Sequence, residues 1–369
     1  MKKSILAVFV LISTIVGVGM FGIPYTAAQS GFLIAAVFLC LLTAIMILLH
    51  LFYGEIVFKT KDKHRLPGYA GLYLGERMKK IIGAFVIFGF YGSLLVYIVV
   101  GGNFLRVILS PLIDLPFFVF NLLFFIIGAT VVYFGLRIIS RLDILMGLFL
   151  VLIVFLFLYF GLGHINSDNF KFINLKNVFM PYGVILYSLA GMAAIPEIRE
   201  LFNRDKRPYK KAIFIGTLIP AILYFIFMMI IIGISGEKTS EEAIGGLTGI
   251  LGNKIVLLGA IFGFFATITS FFTLGLSLKS SFHYDFKINK NLAWFLVCFV
   301  PIILFFLGLH NFVWVIVLLG AVMGMVECSS IVLIYGKLKE AKPFKLVRTI
   351  MIIVFVAGFL YTMISLIKH

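Results

Sequence analysis

A nine-residue stretch near the amino terminus, GVGMFGIPY (residues 17–25), sets three glycines and a proline inside an apolar segment long enough to cross a bilayer. In hydrocarbon, a helix can be interrupted in this way only where the freed amides and carbonyls are buried in protein or line a polar cavity. The interruption therefore requires a surrounding set of helices. The pattern returns far along the chain, where GMAAIP (191–196) repeats GMFGIP (19–24) with four of six residues identical. Two interruptions of one kind, in corresponding positions of two halves, point to a binding site at a repeat interface. The alternative, that these glycines only let helices pack closely, is open for both segments.

Composition fixes the class. The chain is 62% hydrophobic and 12% charged, far from the balance of a soluble domain, and reads as a polytopic membrane protein. Apolar windows of about 20 residues fall at 4–29, 31–57, 81–109, 113–136, 142–163, 177–198, 210–234, 252–278, 292–309, 312–336 and 346–367, which predicts eleven spans. The first window is longer than a signal-peptide core and has no small-residue cleavage motif, so it is expected to remain as a span. The net charge of +16 punctuates the apolar runs and does not form a basic domain, which argues against nucleic acid. Topology accounts for it. With the amino terminus inside, the cytoplasmic segments hold 25 of the 31 Lys and Arg residues, and the opposite loops carry Glu237, Glu241 and Glu242. Cys40, Cys298 and Cys328 lie in apolar runs without metal-ligand or disulfide spacing.

The expected organisation is one transmembrane domain over 1–369. Spans 1–5 (4–163) and spans 6–10 (177–336) form two halves, with span 11 (346–367) outside them. Because five is odd, span 6 enters from the side opposite to span 1, so the two halves are inverted relative to each other.

Breaking span 1 at Gly17, Val18, Gly19 and Met20 leaves a half-helix amino terminus with free amides, which suits a carboxylate. The carbonyls before the break suit a small cation. The matching region of span 6 contains Ser188, Ala190 and Gly191. In span 8, Ala266, Thr269 and Ser270 share one helical face and offer oxygen ligands for a hard cation such as sodium; such hydroxyls also often bond back to their own helix. Phe271 follows them and is a candidate gate. Glu327 is the one carboxylate deep within a span, a candidate proton carrier, ammonium partner or structural acid. His50 is a candidate member of a proton path, and Glu55 and Glu197 are expected to be ion-paired. No hydrolytic, redox or nucleotide-binding motif is present, so the chain is not read as an enzyme.

GVGMFGIPYTAAQSG, LLVYIVVGGNFL (94–105), LAGMAAIPEI (189–198) and ATITSFFTLGLSL (266–278) together resemble the first, third, sixth and eighth spans of the amino acid/polyamine/organocation superfamily, in particular its amino acid/auxin and aromatic amino acid permease branches. The resemblance implies an all-α LeuT-type fold of 5+5 inverted repeats with an eleventh helix, alternating access, and substrate held between broken spans 1 and 6. It implies that Tyr97 closes over the substrate. It also carries two sodium-ligating carbonyls of span 1 onto Ser13 and Val16, opposite Ala266, Thr269 and Ser270.

The expected function is import of a small neutral amino acid, with an aromatic or branched side chain favoured, by sodium or proton symport across the cell membrane. The bilayer and the coupling cation are then its partners, a sodium ion is the only bound cofactor to consider, and no obligate protein partner is indicated. An amino-acid-sensing receptor and an uncoupled exchanger of the same fold are the alternatives.

Overall fold

With no water available in hydrocarbon, a chain this apolar has to close its backbone hydrogen bonds within each segment. The computed structural model is accordingly helical, with no strand among the described residues, which are 2–61, 64–134, 152–202, 205–284 and 287–368. The first predicted span is two helices, α1 (Lys2–Ile15) and α2 (Gly19–Ser30), bent by 55° at the glycine-rich gap. Helix α3 (Phe32–Lys59) follows, then a short α4 (Leu66–Leu74), α5 (Glu76–Leu109), α6 (Phe117–Phe134) and the described part of the fifth span, α7 (Leu152–His164). Residues 142–151 of the expected fifth span lie outside the described residues.

The sixth span is also broken, into α8 (Met180–Ser188) and α9 (Ala194–Arg199). Beyond it run α10 (Lys206–Ser235), a single turn α11 (Thr248–Leu251), α12 (Asn253–Tyr284) and α13 (Lys290–Phe306). The tenth span is α14 (Phe312–Met323) and α15 (Ser329–Tyr335), joined by a wide π turn over Gly324–Cys328, and α16 (Lys345–Lys368) is the eleventh.

Packing follows the two halves. Helix α1 lies on α9 and α2 on α8, α3 on α10, α5 on α12, and α6 on α13. Each pair joins spans five apart in the chain, the pattern that a pseudo-two-fold axis between inverted halves produces. Helix α5, among the longest, also touches α6, α13 and α14 and so runs through the middle of the bundle. The broken sixth span is held from the other side by α14, where Gly320 meets the Gly183 carbonyl and Gly183 meets the Val317 backbone. Contact between backbones at that distance is possible only without side chains, and in a bilayer, where helices gain nothing from leaving lipid, such contact is the main adhesive.

Helix α4 breaks up the basic loop predicted between spans 2 and 3. Pro67 lies in its first turn, where the missing N–H costs nothing, and Gly75 ends it at φ 97°. The basic end of the bundle is cross-linked by ion pairs. Glu55 meets Lys206 at 2.6 Å and Lys210 at 3.0 Å. Arg65 meets Glu197 at 2.9 Å and donates to the Ala193 carbonyl at 3.0 Å. Lys59 pairs with Glu340. The expected pairing of Glu55 and Glu197 is therefore present. The half-exposed lysines and arginine limit the Glu55 and Glu197 pairs to about 1 kcal/mol or less each.

Candidate functional site

Helix α1 stops where Val16 donates its N–H to Ile12 at 2.8 Å, and α2 begins with Met20 donating to Gly17 at 3.2 Å and Phe21 to Val18 at 3.1 Å. Between these, the amides of Val18 and Gly19 have no acceptor among the described residues. They form the free amino-terminal end of α2, the positive end of its dipole. Gly19 is there because nothing larger fits: a Cβ would come within 3.0 Å of the Ser188 Cα and of the Tyr187 ring, and would overlap the Ser188 hydroxyl. The two breaks thus touch.

The sixth-span break is wired differently. Leu189 donates to Ile185 at 3.0 Å, Ala190 to Tyr187 at 3.1 Å, and α9 restarts with Ala194 donating to Gly191 at 3.2 Å. The Gly191 N–H goes to a side chain, His50 Nε2 on α3, at 3.3 Å. Gly191 is hemmed in as closely as Gly19, since a Cβ there would lie 2.7 Å from the Ile15 side chain and 3.2 Å from the His50 ring. Tyr224 on α10 ties the breaks together, its hydroxyl lying 2.8 Å from the Ile15 carbonyl and 3.0 Å from that of Ser188. One proton is shared between the last carbonyls of two helices, leaving acceptor capacity at both.

Opposite the breaks stands a row of hydroxyls. Tyr187 donates to Ser93 on α5 at 3.0 Å. Tyr97, one turn further along α5, is within hydrogen-bonding reach of Tyr187 and of Ser270 on α12. The Ser270 hydroxyl in turn sits 3.9 Å from where a Cβ on Gly17 would be. Tyr97, Gly17, Gly19, Ser188, Gly191 and Ser270 are therefore gathered into one region, with Val18, Met20 and Ala190 alongside them in the chain. Phe271 points elsewhere: it is fully buried and fills the space beside Gly128 and Phe124 on α6.

The cation candidates are arranged less favourably. Thr269 donates to Phe265 at 2.9 Å and Ala266 at 3.2 Å, Ser270 donates to Ala266 at 2.9 Å, and Ser13 donates to Val10 at 3.0 Å. The Ala266 carbonyl thus already accepts two hydroxyls, in the back-bonding habit of Ser and Thr in helices. Only Ser270 is brought to the first-span break. The main packing partners of α1 are α9 and α10, and those of α12 are α5, α6 and α13.

Glu327 lies on the π turn of the tenth span, partly exposed, with its Oε1 3.8 Å from the Cβ position of Gly89 on α5, one turn before Ser93. It has no hydrogen-bond or ion-pair partner among the described residues. The wide turn is stabilised by Ser329 donating to Gly324 at 3.2 Å and Ser330 to Val326 at 2.5 Å. Such turns recur at functional positions because they expose backbone and re-aim one side chain.

The sequence reading missed Tyr224, Thr217, Ser93 and the hydroxyl of Tyr187. A signal existed for two of them: Thr217 and Tyr224 are seven residues apart in an otherwise apolar span, two turns along one face.

A profile of the tryptophan/tyrosine permease family matches residues 1–367. Among curated proteins, the chain is 22% identical over 305 residues to glutamine transporter 2 of Aliivibrio fischeri, covering 80% of this chain and 78% of that one. It is 22% identical over 291 residues to tyrosine-specific transport system 1 of Haemophilus influenzae, covering 75% and 72%. Among solved structures, the inward-facing conformation of Mhp1 matches with a TM-score of 0.66 at 12% identity, over 92% of this chain and 77% of that one. MhsT in complex with L-phenylalanine matches with a TM-score of 0.64 at 16% identity, over 98% of both. At these identities the structural matches establish the fold: an all-α LeuT-type bundle of two inverted five-helix repeats with an eleventh helix.

Proposed function

The chain belongs to the tryptophan/tyrosine permease family of amino acid transporters, and from that membership we propose a secondary active transporter that imports a neutral amino acid by proton symport through alternating access. The observation that carries the reading is the meeting of the two breaks, with unpartnered amides at Val18 and Gly19 on one and the Ser188 carbonyl on the other. The substrate carboxylate lies on the free amides of Val18 and Gly19, at the positive end of α2. Its ammonium lies on the carbonyls around Ser188 to Gly191. The side chain extends toward Ser93, Tyr97, Tyr187 and Ser270, a lining of aromatic faces and hydroxyls that suits aromatic and branched neutral side chains. Names among the relatives and neighbours agree with that class, and they range from glutamine to tyrosine and phenylalanine.

Glu327 is the coupling group in this reading. A carboxylate without a partner at membrane depth is costly as an anion, so the carrier crosses between its two states with Glu327 protonated and releases the proton on the side where water reaches it. The rival site at Ser13, Val16, Ala266, Thr269 and Ser270 would hold sodium on oxygens whose hydroxyl protons go to their own helices, so the reading for the proton rests on Glu327. The excess of basic residues in alternate loops supports an amino terminus in the cytoplasm, with the cell membrane taken as the protein's location.

The test is uptake of L-tryptophan, L-tyrosine and L-glutamine by purified protein in liposomes, with proton and sodium gradients imposed separately. Accumulation driven by the proton gradient and lost in Glu327→Gln is expected. Sodium-driven accumulation lost in a Thr269→Ala, Ser270→Ala double variant overturns the coupling assignment, and saturable binding without uptake overturns transport in favour of sensing.

A further inference from the structure

His50 belongs to a hydrogen-bond relay that transport chemistry has not used. The ring is fully buried, and both nitrogens are engaged. Nε2 faces the Gly191 N–H at 3.3 Å, and Nδ1 faces Thr217 Oγ1 at 2.9 Å. A backbone N–H can only donate, so Nε2 carries no proton and the ring is the neutral Nδ1–H tautomer. Thr217 can accept that proton because its own goes to the Ile213 carbonyl at 2.9 Å. The chain of donors has a single direction, from Gly191 through His50 and Thr217 to the backbone of α10.

The relay and Tyr224 act on the same four residues. Tyr224 holds the Ser188 carbonyl directly, and Thr217, two turns earlier on the same face of α10, holds the Gly191 amide through His50. The sixth-span break is therefore pinned at both ends from one helix. With the amides of Leu189, Ala190 and Gly191 all engaged, the stretch from Ser188 to Gly191 has only carbonyls left to offer, and the free amides of the break are those of Met192 and Ala193 at the start of α9.

We propose that His50, with Thr217 fixing its tautomer, is a positioning residue for substrate binding: it withdraws the Gly191 amide from the site and so makes the stretch from Ser188 to Gly191 a surface of acceptors, selective for a ligand that carries an ammonium. The inference rests on the transporter reading above and deepens it. Thr217→Val keeps shape and removes the acceptor for Nδ1–H. Either that proton is left unpaired, or the ring adopts the other tautomer and sets two donors against each other at Gly191. His50→Asn keeps a group near Thr217 and leaves Gly191 unpaired, whereas the longer amide of His50→Gln brings an oxygen to the Gly191 N–H.

The experiment measures saturable uptake of whichever of L-tryptophan, L-tyrosine and L-glutamine the wild type accumulates, with thermal stability of each variant measured alongside. Leaving one buried donor unpaired predicts a KM raised about tenfold in Thr217→Val and His50→Asn, with the maximal rate of the folded protein changed less than about threefold. Thr217→Ser and His50→Gln are expected to stay within about threefold of wild type. The double variant His50→Asn, Thr217→Val is expected to add little to the larger single effect, because both break one chain. Inhibition by the 2-hydroxy acid analogue of the substrate, which lacks the ammonium, is expected to weaken less than inhibition by the amino acid. An unchanged KM in Thr217→Val, or a parallel fall in rate and stability at constant KM in every His50 variant including Gln, overturns the proposal. Absence of uptake by the wild type overturns the transporter reading, and Thr217→Val indistinguishable from an active wild type overturns only the role of His50.

Discussion

The two helix breaks share a sequence pattern and differ in which of its amides are left free. In the first, Val18 and Gly19 direct unpartnered N–H groups from the start of α2. In the second, the amides of Leu189, Ala190 and Gly191 are all engaged, the last by a histidine from another helix. In the pattern GM..IP the amide of Gly19 is therefore free and that of Gly191 is taken, while the free amides of the second break move on to Met192 and Ala193, and the difference at the glycine comes from what the neighbouring helices supply. The lesson is that a break motif specifies where the backbone is freed, and the surrounding side chains specify which half of it remains available.

The largest effect expected from disturbing this contrast is at Gly19. A Cβ there meets the Ser188 backbone at 3.0 Å, so Gly19→Val should force the breaks apart and reduce uptake by more than about a hundredfold, since an overpacked contact costs about 1–3 kcal/mol or more and the amides are displaced as well. Size-exclusion and thermal-shift profiles should show that the protein remains folded, because the contact lies at the broken ends of α2 and α8 rather than midway along their interface. Gly320→Ala makes the complementary case. Its Cβ would run into the Gly183 carbonyl across the α8–α14 contact, so the main loss should be in thermal stability and yield of folded protein.

Next in size is Tyr224→Phe. Removing the hydroxyl leaves the Ile15 and Ser188 carbonyls without their shared donor, a cost of about 1–3 kcal/mol, and should weaken amino acid binding by about tenfold in equilibrium titrations. If the second break were an acceptor surface only by virtue of its backbone, the variant would bind as the wild type does. Glu327→Gln separates coupling from binding: exchange of internal for external amino acid should continue at a rate within about threefold of wild type, while proton-driven accumulation falls to the equilibrium level. The smallest effect expected is that of Lys206→Ala. Glu55 retains Lys210 at 3.0 Å, and an exposed lysine contributes about 1 kcal/mol or less, so thermal stability should fall by no more than a few degrees with KM unchanged.

Much of this architecture was legible in the chain. The apolar windows gave the helices, since hydrocarbon leaves the backbone few options, and the paired glycine and proline motifs marked both breaks at the correct residues. Loop charges alone implied the ion pairs of Glu55 and Glu197 at the basic end. The short α4 was not foreseen, because a nine-residue helix in a charged loop lacks the apolar length that marks a span.

The site was readable only in part. Gly17, Gly19, Ser188, Gly191, Tyr97 and Ser270 are close together because motif and spacing reflect backbone geometry. The direction of Phe271, by contrast, depends on Gly128 of another helix, and the partners of His50 depend on how α3 meets α10. Such side-chain directions are set by contacts between elements far apart in the chain, so the role of Tyr224 as the link between the breaks emerges only once the helices are packed. The π turn carrying Glu327 is similarly a product of packing, since GMVEC has no glycine pair or proline to announce it.

The central claim, that the two breaks grip opposite ends of a zwitterion, is tested most directly by competition against uptake of the preferred amino acid with two analogues of the same side chain, one lacking the ammonium and one lacking the carboxylate. Loss of about tenfold or more in inhibition constant for each analogue is predicted, as expected when a buried partner is left unpaired at either end. Inhibition by either analogue as strong as that by the parent amino acid would contradict the assignment of that break.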